Sequence, residues 1–336
     1  MKRICAAALS LLLLTGCTTA QDREEHSRDL FAMDTYMNLK ACGAHAEDAL
    51  NAASDRITAL EKLLSVTDSG SEIYAANHAS GGTVPISADT AAILQAAKYT
   101  AAESQNALQI SVYPVVRAWG FTTGEYRVPD DSELTGLLTH VDDARLSFDD
   151  STLTVPADMQ IDLGALAKGY AGDAAISLMR EQGVKSAVVN LGGNVQTLGT
   201  KPDGSKWVVG VRDPFNENML LGTVHVADKA VITSGNYERF FTAEDGTKYW
   251  HIIDPADGRP ADSGLASVTV IGDSGLRCDA LSTALFVEGR ERAEAYWRAC
   301  DFFEMILVTN DTIYVTEGIA NDFAAGGSLP IEVLRR

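Results

Sequence analysis

Residues 161–174, Ile-Asp-Leu-Gly-Ala-Leu-Ala-Lys-Gly-Tyr-Ala-Gly-Asp-Ala, constrain this 336-residue chain more than any other stretch. An apolar, strand-like run over residues 153–161 ends in an acid and a glycine. Helical periodicity follows at once: Ala167, Tyr170, Ala171, Ala174, Ala175 and Leu178 share a face, and Gly183 is placed to stop the helix. Such a junction aims backbone N–H groups and the positive end of the helix dipole at whatever lies before it, which suits a phosphate. Asp162 can cap the helix, Gly164 permits close approach to the backbone, and Lys168 adds one mobile positive charge. Gly164 and Gly169 have the glycine spacing of a Walker A loop, but Tyr170 and Ala171 stand where Lys and Ser/Thr belong. A capped helix with small residues for close packing is the plain alternative.

The amino terminus sets the expected compartment. Lys2 and Arg3 precede a short apolar segment that ends in Leu14-Thr15-Gly16-Cys17. The segment is too short for a stable membrane anchor and has the shape of a secretory signal. Its last four residues resemble the bacterial lipobox, which implies cleavage before Cys17 and lipid on its sulfur. The expected layout is therefore a lipoprotein signal peptide at 1–16 and a polar tether at 17–28. One domain, built as a single unit or as two packed subdomains, follows at 29–336. The protein is expected to be extracytoplasmic and lipid-anchored to the bacterial cell membrane, on the periplasmic face in a Gram-negative.

Charge excludes some partners. There are 27 Lys+Arg against 46 Asp+Glu, a net charge of −19, and signal removal takes away two of the bases. A surface this acidic argues against nucleic acid and against broad adhesion to anionic lipid. An anionic ligand must then be attracted by local donors and a bound cation. With Cys5 lost and Cys17 lipidated, Cys42, Cys278 and Cys300 make neither a disulfide framework nor a zinc site. One disulfide stays open, with no preferred pair.

The spacing predicts a strand over 31–41, amphipathic helices over 46–64 and 89–104, a short helix near 132–139, and a hairpin turning at Asp149-Asp150. From 184 onward strands dominate, at 186–190, 207–211, 222–226, 230–233, 249–253 and 267–271. Helices at about 275–287 and 290–299 and strands at 304–309 and 312–316 follow. Long helices early and meandering strands late give an α+β class with a mainly antiparallel sheet.

Four further segments carry chemistry. Asp279 and Thr283 lie at i and i+4 of the late helix, so a carboxylate and a hydroxyl share one face and suit a hard cation such as Mg2+. Gly192 and Gly193, in Asn190-Leu-Gly-Gly193, allow positive φ and close backbone approach. Ser234 and Arg239, in Thr233-Ser-Gly-Asn-Tyr-Glu-Arg239, offer a hydroxyl and a guanidinium to a phosphate. His251 sits in an apolar strand closed by Pro255 and is the natural base near neutral pH. Read singly, each has an ordinary structural alternative: a helix cap, a turn, a surface charge, a core histidine.

Taken in order, these segments resemble the FAD:protein FMN transferase family, the ApbE-like flavin-trafficking lipoproteins. The resemblance runs over Met33-Asp-Thr35, Leu64-Ser65 with Ser71-Glu72 and Asn77, Trp119-Gly-Phe121, residues 162–173, 190–193, 234–239, 251–258 and 279–283. It implies an ApbE-like flavin transferase fold and Mg2+-dependent transfer of FMN from FAD to a Thr or Ser hydroxyl of a partner protein, with AMP released. The partner implied is a membrane redox complex subunit. By the same resemblance Asp279, Thr283 and the Ala165 carbonyl hold the metal. Met33, Asp162 and Lys168 contact the dinucleotide, and His251 is the base. Two departures stand out: Thr67 replaces a common aromatic, and Gln109 replaces a common acid. They keep open a Mg2+-dependent FAD pyrophosphatase giving FMN and AMP; a non-catalytic flavin-binding lipoprotein is a separate alternative.

Overall fold

Period-two apolar patterning organises the molecule around one large sheet. The computed structural model describes residues 24–336 apart from Glu217. The expected signal peptide and the lipidated Cys17 lie outside the described residues. Nine strands form the sheet, in the spatial order Glu25–Ala32, Thr35–Cys42, Ser186–Leu191, Asn194–Leu198, Ala230–Gly235, Ser267–Gly272, Phe303–Val308, Ile313–Thr316 and Ile331–Leu334. Every pair is antiparallel except the last, which is parallel.

The central strand Ser267–Gly272 is buried along its whole length, so it needs apolar residues on both faces. Val268 and Val270 pack beneath the helices, while Ile271 joins a second core against a small sheet formed by Trp207–Arg212, Leu220–Val226 and Phe323–Ala325. The layers are helices, large sheet and small sheet. The helix layer contains Ala46–Leu64, Ala88–Glu103, Gly164–Glu181 and Gly275–Glu288. Among the described residues no helix is long and apolar enough to cross a membrane, and Cys42, Cys278 and Cys300 are free thiols.

Several expectations need correction. The strand expected over 31–41 is a hairpin, because Met33 and Asp34 form its two-residue turn and Ala32 pairs with Thr35. Its first strand begins at Glu25, so residues 25–28 belong to the sheet rather than to a tether. The run over 153–161 is strand only at Thr152–Thr154. The strand expected over 249–253 ends at Trp250, leaving His251 in a bend and Ile253 in a lone bridge to Pro260. A helix at Glu72–His78, capped by Ser71, has no counterpart among the expected elements.

Candidate active site

The 161–174 junction is held from outside. Asn77 clamps the backbone of Ile161 twice: its Nδ2 donates to the Ile161 carbonyl and its Oδ1 accepts the Ile161 N–H, both at 2.8 Å. The helix starts at Gly164 with Leu163 as its N-cap, so Asp162 stands one residue earlier than a capping role requires. Asp162 Oδ1 instead accepts the Gly164 N–H at 2.8 Å. The Leu166 and Ala167 N–H groups both donate to the Leu163 carbonyl. The row of free donors expected here is therefore mostly consumed. Ala165 has the first-turn N–H left without a protein partner among the described residues.

The sequence-selected residues converge all the same. Met33, Asp162, Ala165, Lys168, Gly192, Gly193, Ser234, Arg239, His251, Asp279 and Thr283 all line one cleft of about 600 Å³. That volume is within the usual range for small-molecule sites. The charged residues of the lining are four carboxylates, Asp34, Asp162, Glu238 and Asp279, against Lys168, Arg212 and Arg239. The walls alone are thus not strongly positive.

Asp279 marks one end. Its Oδ2 accepts the Gly169 N–H at 2.8 Å, and burial pushes its carboxyl above the usual carboxylate range against the pull of Lys168. Thr283, one turn on, lies near Ser234, with Oγ1 and Oγ 3.3 Å apart, and Ser234 also meets Ser282 at 2.9 Å. Close helix approach makes this possible. A Cβ on Gly169 would lie 2.3 Å from the Gly275 carbonyl and 2.6 Å from Asp279 Cβ. In return, Asp173 accepts N–H groups from Gly275 and Leu276, at 2.7 and 3.0 Å, in the first turn of the helix that carries Asp279, whose N-cap is Ser274. One carboxylate, one hydroxyl and a backbone carbonyl of the lining residue Ala165 are hard oxygen donors, a set whose chemistry fits Mg2+ completed by water and phosphate oxygens.

His251 stands on the opposite logic. Its Nδ1 is buried and has no partner among the described residues. Burial first, then the charges of Arg239 and Lys168, lower its pKa from 6.5 to about 3, so the ring is neutral. Arg239 fixes the surroundings: its Nη2 donates to the Phe121 carbonyl at 2.9 Å, and its own carbonyl accepts the His251 N–H at 3.0 Å. Trp119 Nε1 donates to the Gly258 carbonyl at 2.8 Å, which binds the Trp-Gly-Phe segment to the loop after His251. Burial likewise raises Asp162, countered first by the Gly164 N–H and then by Arg239 and Lys168.

The two glycines behave as expected, with Gly192 at φ 63° and Gly193 at φ 102° in the turn between Leu191 and Asn194. Sequence reasoning passed over Glu238, Arg212, Asn194 and Tyr36, which also line the cleft. Glu238 lay inside a quoted motif, and only its neighbours were singled out. Desolvation raises its carboxyl, Lys168 and Arg212 lower it, and Asp279 raises it again. Gln109 lines the cleft with its Oε1 occupied by the Asp143 N–H at 2.9 Å. Thr67 is not part of the lining, and Ser65, Ser71 and Glu72 serve the scaffold: Glu72 accepts from Ser87 and Thr90.

Comparison with known proteins bears on the family and the fold. A sequence model of the ApbE family matches residues 33–307. A protein named FAD:protein FMN transferase from Klebsiella pneumoniae is 34% identical over 86% of this chain and 91% of its own. One of the same name from Vibrio cholerae is 31% identical over 93% and 95%. Among solved structures, the ApbE protein of Thermotoga maritima superposes with a TM-score of 0.80 at 28% identity, covering 90% of this chain and 97% of its own. The flavin transferase ApbE of Vibrio cholerae gives 0.77 at 26%, over 90% and 96%.

Proposed function

The chain belongs to the ApbE family, and from that premise we propose that it is an FAD:protein FMN transferase that uses Mg2+ to move FMN from FAD onto a protein hydroxyl, releasing AMP. The observation that carries this reading is the convergence of eleven motif residues from separate segments on one cleft. Asp279, Thr283 and the Ala165 carbonyl would hold the cation. Bound there, it would draw charge from the pyrophosphate and stabilise the departing AMP. The acidic balance of the lining supports a cation requirement.

The protein's own part is positioning and proton transfer. Lys168 and Arg239 flank the diphosphate, and Gly192 and Gly193 let backbone approach the nucleotide. The acceptor Thr or Ser oxygen attacks the FMN phosphorus, the bond to the bridging oxygen breaks, and AMP leaves with that oxygen. His251 takes the hydroxyl proton at an imidazole nitrogen as the new bond forms. A pKa of about 3 makes it a weak base in the free protein. A diphosphate beside Arg239 and Lys168 would offset their charge and raise its basicity toward the working range.

The lipobox-like Leu14-Thr15-Gly16-Cys17 supports an anchored, extracytoplasmic enzyme, and the family resemblance supports a membrane redox subunit as its acceptor. Incubation with FAD, Mg2+ and a Thr-bearing acceptor should give a fluorescent acceptor band that survives denaturation, with AMP in equal amount. Consumption of FAD with no labelled acceptor would replace this reading by the pyrophosphatase. Tight FAD binding with no AMP released would replace it by a flavin carrier.

A further inference from the structure

The turn between the first two strands sets Met33 against its backbone preference. Met33 at φ 50° and Asp34 at φ 57° both occupy the left-handed region. Non-glycine residues are uncommon there, and two-residue hairpin turns with both φ positive ordinarily take Asn-Gly. Such a turn needs an external hold. The Met33 N–H donates to Glu61 Oε1 at 2.6 Å. Glu61 projects from the Ala46–Leu64 helix, next to the fully buried Leu60, so its carboxylate comes from a fixed element. Arg28 of the same hairpin bonds Asn51 further up that helix.

The turn's placement matters to the cleft. Met33, Asp34 and Thr35 all line it. A Cβ on Gly192 would lie 2.2 Å from Thr35 Oγ1, so the hairpin also presses on the glycine turn opposite. Glu61 is not part of the lining and reaches the site only through the Met33 backbone.

We infer that Glu61 is a positioning residue for the nucleotide pocket: its carboxylate captures the Met33 N–H and holds the left-handed turn, with the Met33 side chain, against the cleft. This rests on the flavin-nucleotide reading above. The tie acts on how well the pocket is formed before the nucleotide arrives, so its loss moves affinity rather than chemistry.

Flavin fluorescence quenching on the full protein gives the FAD dissociation constant, with the thermal midpoint measured beside it. Glu61→Gln keeps an acceptor oxygen and should bind within about twofold of wild type, whereas Glu61→Ala should weaken FAD about tenfold, as for loss of a hydrogen bond to a charged group. Steady-state kinetics should show KM rising with kcat unchanged. Glu61→Asp, which withdraws the carboxylate by one methylene, gives a second reading if the alanine variant does not fold, and should also weaken FAD. The inference is overturned if Glu61→Ala and Glu61→Asp bind FAD like wild type, or if Glu61→Gln weakens FAD as much as Glu61→Ala. A wild-type protein that fails to bind FAD would instead sink the functional reading beneath it.

Discussion

The Gly169 backbone N–H donates to Asp279 Oδ2 at 2.8 Å, so a donor that a regular helix aims at the Ala165 carbonyl is engaged by a carboxylate from another helix. Ala165, which begins the turn that Gly169 closes, lines the cleft. One contact therefore holds Asp279 against the helix turn that carries Ala165. Asp173 completes the exchange by accepting the Gly275 and Leu276 N–H groups at the start of the helix that carries Asp279.

Asp279→Asn should separate chemistry from stability. The amide oxygen can still accept the Gly169 N–H, but the charge for a cation is gone. Mg2+-dependent AMP release should fall at least ~10²-fold, as for loss of a key electrostatic group. In cation-free buffer the thermal midpoint should not fall, because burial already disfavours the Asp279 charge. Undiminished release at limiting Mg2+ would remove Asp279 from the cation site.

Gly169→Ala should push the two helices apart. Its Cβ would meet backbone at 2.3 Å, and overpacking of that kind costs about 1–3 kcal/mol. Gly136 in the Asp131–Leu138 helix has nothing within 4 Å, so Gly136→Ala should stabilise by about 0.5–1 kcal/mol. Urea unfolding of both variants checks the contrast, and equal shifts would discount the helix contact.

His251 should give acid sensitivity to the fold. In the unfolded chain it takes a proton near 6.5, but in the folded protein only near 3. Between those values the unfolded state binds the extra proton, so stability declines as pH falls through that window. His251→Asn should therefore lose less thermal stability than wild type between about pH 7 and pH 5. The same variant should keep FAD affinity while transfer slows by ~10²–10⁴-fold. Loss of FAD binding in step with loss of folded protein would return His251 to a packing role.

Asn77→Ala removes both hydrogen bonds to Ile161 and leaves two backbone groups without those partners. Chemical denaturation should show a loss of about 1–3 kcal/mol for the unsatisfied groups. FAD should also bind more weakly, because Ile161 leads directly into Asp162. A stability loss with unchanged FAD affinity would show that the junction keeps its shape unaided.

Helical periodicity and motif order were legible where local rules and tertiary structure agree. The Ala46–Leu64 helix appeared at its expected bounds because its apolar face, Ala49, Ala53, Ile57, Leu60 and Leu64, is the buried one. The cleft residues were legible because each motif pairs a turn-forming glycine or acid with an adjoining strand or helix. The Met33-Asp34 turn was hidden because it lacks the Asn-Gly or Asp-Gly pair that marks such a hairpin, and Glu61, which accepts the Met33 N–H, is distant in sequence. The strand Asn194–Leu198 was missed beside the glycine pair, since its polar Asn194 and Gln196 are buried by partners that only the fold supplies. Gln196 donates to the Gly169 carbonyl at 2.8 Å, a contact with no local trace.

The charge balance of the cleft walls has a kinetic side. A nucleotide diphosphate diffusing toward a protein of net charge −19 climbs an unfavourable potential until it reaches Lys168 and Arg239. Dissolved ions flatten that potential over a Debye length of about 8–10 Å. Capture of the nucleotide should then quicken as ionic strength rises, the reverse of enzymes that steer their substrates electrostatically.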